Sequence, residues 1–314
     1  MKNATLRQLR IFACVARHLS FVRAAEELGL TAPAVSMQIK ELEIEVGLPL
    51  FDRSSRKLSL TTVGEYELAH ARRVLSAVRD AEDMVARFRG LRTGVPDVGM
   101  VSTAKYFGLR MLALFRDEHP GIEIRLQVSN NREQVVSLMQ QGSVELAIMG
   151  RPPKEWPTRA EPFAMHPHVL VTSTDHPFAR TEKVPASAWM GEGFIVREPG
   201  SGTRIALDEY MEAHQMTPRV VMQMSSNEAI KQAVMAGMGV ALLSLHTIGL
   251  ELDHHVIATP ECEGLPVMRR WHNVNNLAKT LSPAAEAFRY FILERGEAFL
   301  ARHFAHQQSS LPDR

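Results

Sequence analysis

The chain has 314 residues, of which 45% are hydrophobic, 23% charged and 6% aromatic. That balance excludes wholesale disorder and collagen-like repeats, and the length suggests about two domains with a sizeable core. Cys14 and Cys262 form no Cys-x-x-Cys pattern, which excludes a disulfide scaffold and fits a reduced, cytosolic protein. The longest nearly charge-free apolar stretch, 233–245, spans 13 residues, short of the roughly 18 needed to cross a membrane. Lys2, Arg7 and Arg10 precede an apolar run that Arg17 and His18 close too early for a signal peptide. The net charge of +1 conceals an asymmetry: residues 1–92 carry 15 Lys/Arg against 11 Asp/Glu, and the remainder 21 against 24. A basic head on a mildly acidic body suits a polyanion-binding module, although a difference this small is also ordinary for solvated surface.

Thr5 is placed to cap a first helix whose Leu6, Leu9, Phe12, Ala13 and Ala16 share one face. Ser20 opens a second over 21–28, and Gly29 follows where a helix end favours positive φ. Thr31 caps a third, with Pro33 in its first turn and a core stripe of Val35, Ile39, Leu42 and Val46. This is a helix-turn-helix plan, in which the later helix lies in the major groove of double-stranded DNA. Its opposite face, Ala32, Ser36, Met37 and Lys40, is mostly small or hydrogen-bonding rather than charged. A short hairpin wing comes next, with Arg53, Arg56 and Lys57 suited to phosphates. The competing reading is a small helical domain with a basic loop. From Thr61 or Thr62 a long helix runs to about Gly90. Leu68 and Leu75, with Ala71, Val78 and Val85 and with Ala81 and Phe88 alongside, recur at heptad spacing, interrupted by Glu82. That suits a seam between two chains, or packing against the helix's own domain. A dimer would read roughly palindromic half-sites.

Residues 93–97, with Gly94 and Pro96, form a hinge. Beyond it strands at 98–101, 122–128 and 144–149 alternate with helices at 107–118 and 133–141. A second unit has strands at 168–172, 193–196, 220–224 and 240–244, with helices at 205–214 and 228–235. The chain returns through 267–273 to a helix from Ser282 to about Phe304. The alternation predicts α/β architecture with parallel sheets and helices on both faces, and the return predicts two subdomains crossed twice. Ser102-Thr103 and Asn130-Asn131-Arg132 each follow a strand and open a helix. Gly200-Ser201-Gly202-Thr203-Arg204 is a Gly-rich loop entering another, and helix N-termini at strand ends suit anions. The same loop also reads as a tight turn with an N-cap. Asn227 is expected to cap the helix opposite. Arg151, after a buried strand, suits a phosphate or a solvated hinge equally well.

Five stretches carry a family resemblance: Leu6-Arg7-Gln8-Leu9-Arg10-Ile11-Phe12, Ser20-Phe21-x-x-Ala24-Ala25-x-x-Leu28, Pro33-Ala34-Val35-Ser36-x-Gln38-Ile39-x-x-Leu42-Glu43, Gly47-x-x-Leu50-Phe51-x-Arg53 and Leu60-Thr61-x-x-Gly64. In them the chain resembles a LysR-type transcriptional regulator. The family usually has Gln where Ala32 stands and often Arg where Met37 stands, so base readout there is expected to be more apolar. Residues 36–43 and 236–246 look most like the branch regulating Calvin-cycle (RuBisCO) carbon-fixation operons.

The resemblance implies an N-terminal winged helix-turn-helix over 1–60, a linker and dimerisation helix over 61–92 and an effector-binding domain over 93–304, with a tail at 305–314. That domain would be a two-lobed, periplasmic-binding-protein-like sensor, with lobe I at about 94–165 and 267–304 and lobe II at about 166–266. It implies DNA contact through Thr31, Ala32, Pro33, Ser36, Met37, Lys40, Arg53, Arg56 and Lys57. A small effector would lie between the lobes, near Ser102, Thr103, Asn130, Asn131, Arg151, Gly200–Arg204 and Asn227. It further implies a dimer or tetramer, and RNA polymerase as a partner in activation. The effector would be a phosphorylated or nucleotide metabolite, which arginines and helix N-termini suit.

The alternatives are a regulator of another operon with an amino-acid, aromatic or sulfur effector, or an enzyme built on the two lobes. No paired carboxylates, nucleophile–base set, P-loop or metal motif supports the enzyme. His166, His168, His254, His255 and His272 lack Cys or carboxylate partners at ligand spacing, so no metal or other cofactor is expected and they read as strand or surface histidines.

Overall fold

A computed structural model describes residues 4–53, 58–88 and 94–304. The chain forms two compact units, one containing the first 88 residues and the other most of the residues from 89 onward.

In the first unit, α1 (Leu6–His18), α2 (Phe21–Leu28) and α3 (Ala32–Val46) begin as their caps dictate. The Thr5 hydroxyl accepts from the Gln8 amide, and the Gln8 side chain accepts from Thr5 in return. Ser20 and Thr31 cap α2 and α3, and Gly29 and Gly47 close them in the left-handed conformation. Phe12, Ala24, Val35, Ile39, Leu42 and Leu50 meet in one buried core. Phe51 stands edge-on to Phe12 at 5.5 Å and to Phe21 at 5.8 Å, which adds about 1 kcal/mol per pair beyond burial. The Glu43 carboxylate accepts from the backbone amides of Leu50 (2.9 Å) and Phe51 (3.3 Å), fixing the turn between α3 and the wing. The wing itself is β1 (Phe51–Asp52) paired antiparallel with β2 (Ser59–Leu60). Arg56 and Lys57 lie outside the described residues.

Thr61 caps α4 (Thr62–Phe88) by accepting from the Gly64 amide at 2.9 Å. The first heptad positions are taken by this unit's own core. Leu68 and Ala71 are buried in this unit's own core and Leu75 packs against it, because α4 lies along α1. Val78 is half-buried, and the side chains of Ala81, Glu82, Val85 and Phe88 are outside those described. Among the described residues of this helix, the large apolar side chains it exposes are Tyr66 and Val74.

The second unit starts with β3 (Asp97–Val101), a 3-10 turn (Ser102–Ala104) and α5 (Lys105–Glu118), then β4 (Arg125–Ser129), α6 (Arg132–Gln140) and β5 (Leu146–Met149). After β6 (Thr158–Val171) come β7 (Gly193–Arg197), α7 (Gly202–Ala213), β8 (Arg219–Met224) and α8 (Asn227–Met235). The remaining elements are β9 (Ala241–Ser244), the short α9 (Gly249–Asp253), β10 (Val267–Asn276) and α10 (Pro283–His303), the last capped by Ser282.

The main sheet has the order β4-β3-β5-β10-β6-β9 and is mixed, not parallel throughout. β3, β4 and β5 run parallel, whereas β10 is antiparallel to β5 and β6, and β6 to β9. The parallel pair β7-β8 continues it through a bridge from Phe194 to Val240. Alternating side chains feed a core on each face. Val169 and Val171 pack with Ile230 and Val234 of α8, while Leu170 faces Ala206 and Tyr210 of α7. In the other lobe, Phe107, Phe115, Phe288 and Trp271 fill the side under α5 and α10, and Val135, Met139 and Val274 the side under α6.

Two strand starts move by three residues or more from those expected. The strand at 122–128 starts at Arg125, with Ile122 making only an isolated bridge to Gly94. The strand at 168–172 is the end of the 14-residue β6, whose Pro162 and Pro167 hid its beginning. The fold absorbs Pro162 at a bulge, where pairing steps from Trp271–Ala164 to His272–Pro162 and skips Phe163. β6 and β10 pass through both lobes, which are thereby crossed twice.

A side chain at Gly64 would place its Cβ 2.0 Å from the Leu50 carbonyl oxygen, against backbone that Glu43 holds. Gly64→Ala is therefore expected to destabilise the first unit by at least ~2 kcal/mol. A urea midpoint equal to wild type would show that this packing relaxes freely.

Candidate functional site

In the first unit the N-terminal half of α3 presents its sequence-predicted face. Thr31, Pro33, Met37 and Lys40 are exposed, and Ala32 and Ser36 are half-buried beside them. No carboxylate among the described residues pairs with Lys40. Arg53 is constrained: its guanidinium donates to Glu43 at 3.2 Å and lies 5.2 Å over the Phe21 ring. Cys14, His18 and Glu27 bring three potential metal ligands together, but the Arg17 guanidinium donates to both Glu27 and Cys14 and already supplies the positive charge there.

In the second unit a cleft between the lobes encloses about 500 Å³, its open mouth included. It is lined by Val101, Thr103, Asn130, Asn131, Arg132, Met149, Gly150, Arg151, His166, His168, Arg197, Ser201, Gly202, Thr203, Arg269 and Trp271. Seven of the expected effector residues are thus brought together: Thr103, Asn130, Asn131, Arg151, Ser201, Gly202 and Thr203. Local folding explains why. Asn131 accepts from the Gln134 amide at 3.0 Å to start α6, and Ser201 accepts from the Arg204 amide to start α7. Two helix N-termini therefore open on one space, with buried Thr203 in the first turn of α7.

The other four lie off the cleft. Ser102 turns its hydroxyl to the Asn130 carbonyl (3.3 Å), because a 3-10 turn precedes α5. Gly200 takes the left-handed bend ahead of the cap. Arg204 points along its own helix to Asp208 at 2.8 Å. Asn227 is the first residue of α8 and not its cap. Ser226 caps that helix, which frees the Asn227 amide for other partners.

Those partners belong to a network that spans the lobes. Buried Arg197, at the end of β7, donates to Asn227 Oδ1 (2.6 Å), to the Asn130 carbonyl (3.1 Å) and to both Glu198 oxygens (2.8 and 3.0 Å). Asn227 in turn donates to Thr103 Oγ1 at 3.5 Å. Nearby, the Tyr106 hydroxyl donates to Glu228, and burial next to that carboxylate raises the phenol's pKa. Lys231 is held between Glu228 (2.9 Å) and Glu251 (2.7 Å).

Sequence reasoning named Arg132 only within the Asn130-Asn131-Arg132 run that opens α6, and passed over Arg197 and Arg269 as ligand groups and His166, His168 and Trp271 as cleft walls. For Arg197 a signal was available, since it ends the strand before the Gly-rich loop. Arg269 and Trp271 gave none, because only the register of β10 against β6 brings them beside His166 and Ala164. Three of the cleft arginines are partly neutralised: Arg132 by Glu155 at 3.0 Å, Arg197 by Glu198, and Arg269 by Glu209 at 2.6 Å. Arg151 is exposed, with no carboxylate among the described residues paired to it.

Two family profiles match the chain. "Bacterial regulatory helix-turn-helix protein, lysR family" covers residues 6–65, and "LysR substrate binding domain" covers 89–297. The chain belongs to the LysR family of transcriptional regulators. Among LysR relatives it is 47% identical over 304 residues to the HTH-type transcriptional regulator CfxR of Cupriavidus necator, covering 97% of this chain and 96% of that one. It is 42% identical over 291 residues to the RuBisCO operon transcriptional regulator of Allochromatium vinosum, covering 93% and 96%. The regulatory domain of CcmR from Synechocystis PCC6803, solved in complex with 2-PG, shares 34% identity at a TM-score of 0.59 and covers 70% of this chain and 100% of that one. The chain is accordingly a sequence-specific DNA-binding regulator with effector-binding lobes, not an enzyme. No helix among the described residues is long and apolar enough to cross a membrane.

The sensor's buried histidines, two of them in the cleft, make stability pH-dependent. Burial, with Arg269 alongside, pushes His168 down to about 3; burial next to His168 pushes His246 to about 3; and burial lowers His166 well below its usual value. These imidazoles stay neutral in the fold but take up a proton near pH 6.5 when unfolded. Their contribution is complete above that pH and is lost on acidification, at up to about 1.4 kcal/mol per pH unit for each ring. The sensor's unfolding midpoint is expected to drop between pH 7 and pH 5, less so in His246→Gln. Equal slopes for the two proteins would remove His246 from this account.

Proposed function

We propose that the protein controls carbon-fixation genes in response to a small phosphorylated metabolite held between the lobes by Thr103, Asn130, Asn131, Arg151, Ser201, Gly202 and Thr203. The observation that carries the anionic ligand is the convergence of four arginines and two helix N-termini on one cleft. The carbon-fixation assignment is supported by the name of the Allochromatium relative, and the ligand class by the CcmR domain's complex with 2-PG. The domain limits belong to the same reading: 1–60 for DNA, 61–92 for the linker and 93–304 for the effector. So does self-association through α4, where Tyr66 and Val74 offer exposed apolar contacts, with a tetramer on roughly palindromic promoter half-sites and RNA polymerase as the partner in activation.

In this scheme Thr31, Ala32, Pro33, Ser36 and Met37 meet bases, and Lys40 meets a phosphate. Lys40→Ala then lowers the slope of log affinity against log salt by about one ion. Arg53→Ala lowers it less, because Glu43 already offsets that charge. Equal slopes for wild type and Lys40→Ala would take Lys40 off the phosphate backbone.

Affinity selection of sheared genomic DNA by the full-length protein, followed by sequencing, tests the target genes. Sharp peaks beside carbon-fixation operons are expected, and peaks beside unrelated genes would overturn the assignment. Thr203→Phe fills the cleft and is expected to leave operator binding intact while abolishing the response to phosphorylated metabolites. A preserved response would move the ligand elsewhere.

A further inference from the structure

The cleft floor carries polar groups that the anion-binding elements leave unused. His166 and His168 sit two apart on β6 and share a face with Arg269 and Val267, their partners on β10. Ser244 on β9 is the partner of His168 on its other side. All three polar side chains are at least 95% buried, and neither ring nitrogen of His166 or His168, nor the Ser244 hydroxyl, makes a hydrogen bond. The backbone at His166 and Val267 lies close enough to His168 to offset part of its desolvation, whereas His166 has no such relief. His166 is clamped in place, its ring stacked on Trp271 at 3.8 Å and its Nδ1 edge turned to Gly150 on the cleft wall, where an added Cβ would sit 3.0 Å away. Trp271 is fixed in turn, because its indole N–H donates to His246 Nδ1 at 3.0 Å.

Leaving a buried polar group without a partner is costly, and two whole imidazoles in a rigid row are unusual unless something else completes them. The groups facing them, Arg269, His246 and His272, are cationic or neutral bases that offer no relief. A neutral imidazole has one donor and one acceptor nitrogen, so it pairs with a hydroxyl, which both accepts and donates, better than with a bare anion.

Resting on the phosphorylated-effector reading above, we propose that His166 and His168 are specificity-determining residues that select a phosphorylated effector bearing hydroxyl groups next to its anionic end. The arginines and helix N-termini hold the phosphate, and the two imidazoles read the hydroxylated carbons. Phosphate esters with a plain alkyl group leave the rings unpaired and bind more weakly.

The test uses the full-length protein and three probes in calorimetric titrations: inorganic phosphate, n-propyl phosphate and glycerol 3-phosphate, the last two differing only in hydroxyls. Wild type is expected to prefer glycerol 3-phosphate over n-propyl phosphate by about tenfold, the worth of one or two neutral hydrogen bonds. His166→Leu and His168→Leu should erase that preference while keeping the affinity for inorganic phosphate. His166→Gln, which retains a donor and an acceptor, should restore part of it. Because the readout is a ratio of two ligands on one protein, general loosening of the fold does not imitate it. Binding of all three probes without preference, or a preference that survives both Leu variants, overturns the proposal and leaves the phosphate site standing. Failure of every probe to bind, with Arg151→Ala indistinguishable from wild type, overturns the phosphate reading and this inference with it.

Discussion

The antiparallel pairing of β6 with β10 is the constraint on which the sensor's chemistry rests. Ten register pairs tie the two strands together, and because both strands run through both lobes, the same ladder joins the lobes and builds the cleft floor. Side chains alternate along such a ladder, so one step of slippage would put His166 and His168 on the face opposite Arg269 and Trp271. The single irregularity, at Phe163, lies next to Pro162, whose missing amide would otherwise break a hydrogen bond in mid-sheet. Placing the bulge there leaves the rows from Ala164 to His168 in regular pairing, where the cleft needs them.

On that floor the charges are arranged to be available without being loose. Glu155, Glu198 and Glu209 hold three cleft arginines in position, so a bound anion meets guanidinium groups that are already oriented. Arg197 does more, because its bonds to Asn130 and Asn227 link groups on opposite lobes. A ligand can change the balance between lobe arrangements only through a difference in its affinity for them. A group that contacts both lobes and the ligand space is where such a difference would arise.

Much of this was legible in the sequence, for identifiable reasons. The three N-terminal helices carry strong local signals at Thr5, Ser20, Gly29, Thr31 and Gly47, and their boundaries fell where those residues put them. The Gly-rich loop announced the start of α7 in the same way. Tertiary partners were what stayed hidden. Leu68, Ala71 and Leu75 have the spacing of an interchain seam, and nothing in that spacing says that α1 is the surface they meet. Asn227 looked like a cap, yet neighbouring Ser226 took that role. The beginning of β6 was masked by two prolines, and with it went the placement of the histidines, whose importance depends on a cross-strand neighbour about a hundred residues away.

The burial of Leu68 and Ala71 against α1 has a mechanical side. It makes the 27-residue α4 one rigid piece with the reading head, a rod about 40 Å long. A rod so fixed cannot tilt at its far end without carrying α3 along. A swing of about 5° over that length displaces the tip by roughly 3.5 Å, the step from one base pair to the next. Angular play at one end of such a rod becomes displacement at the other.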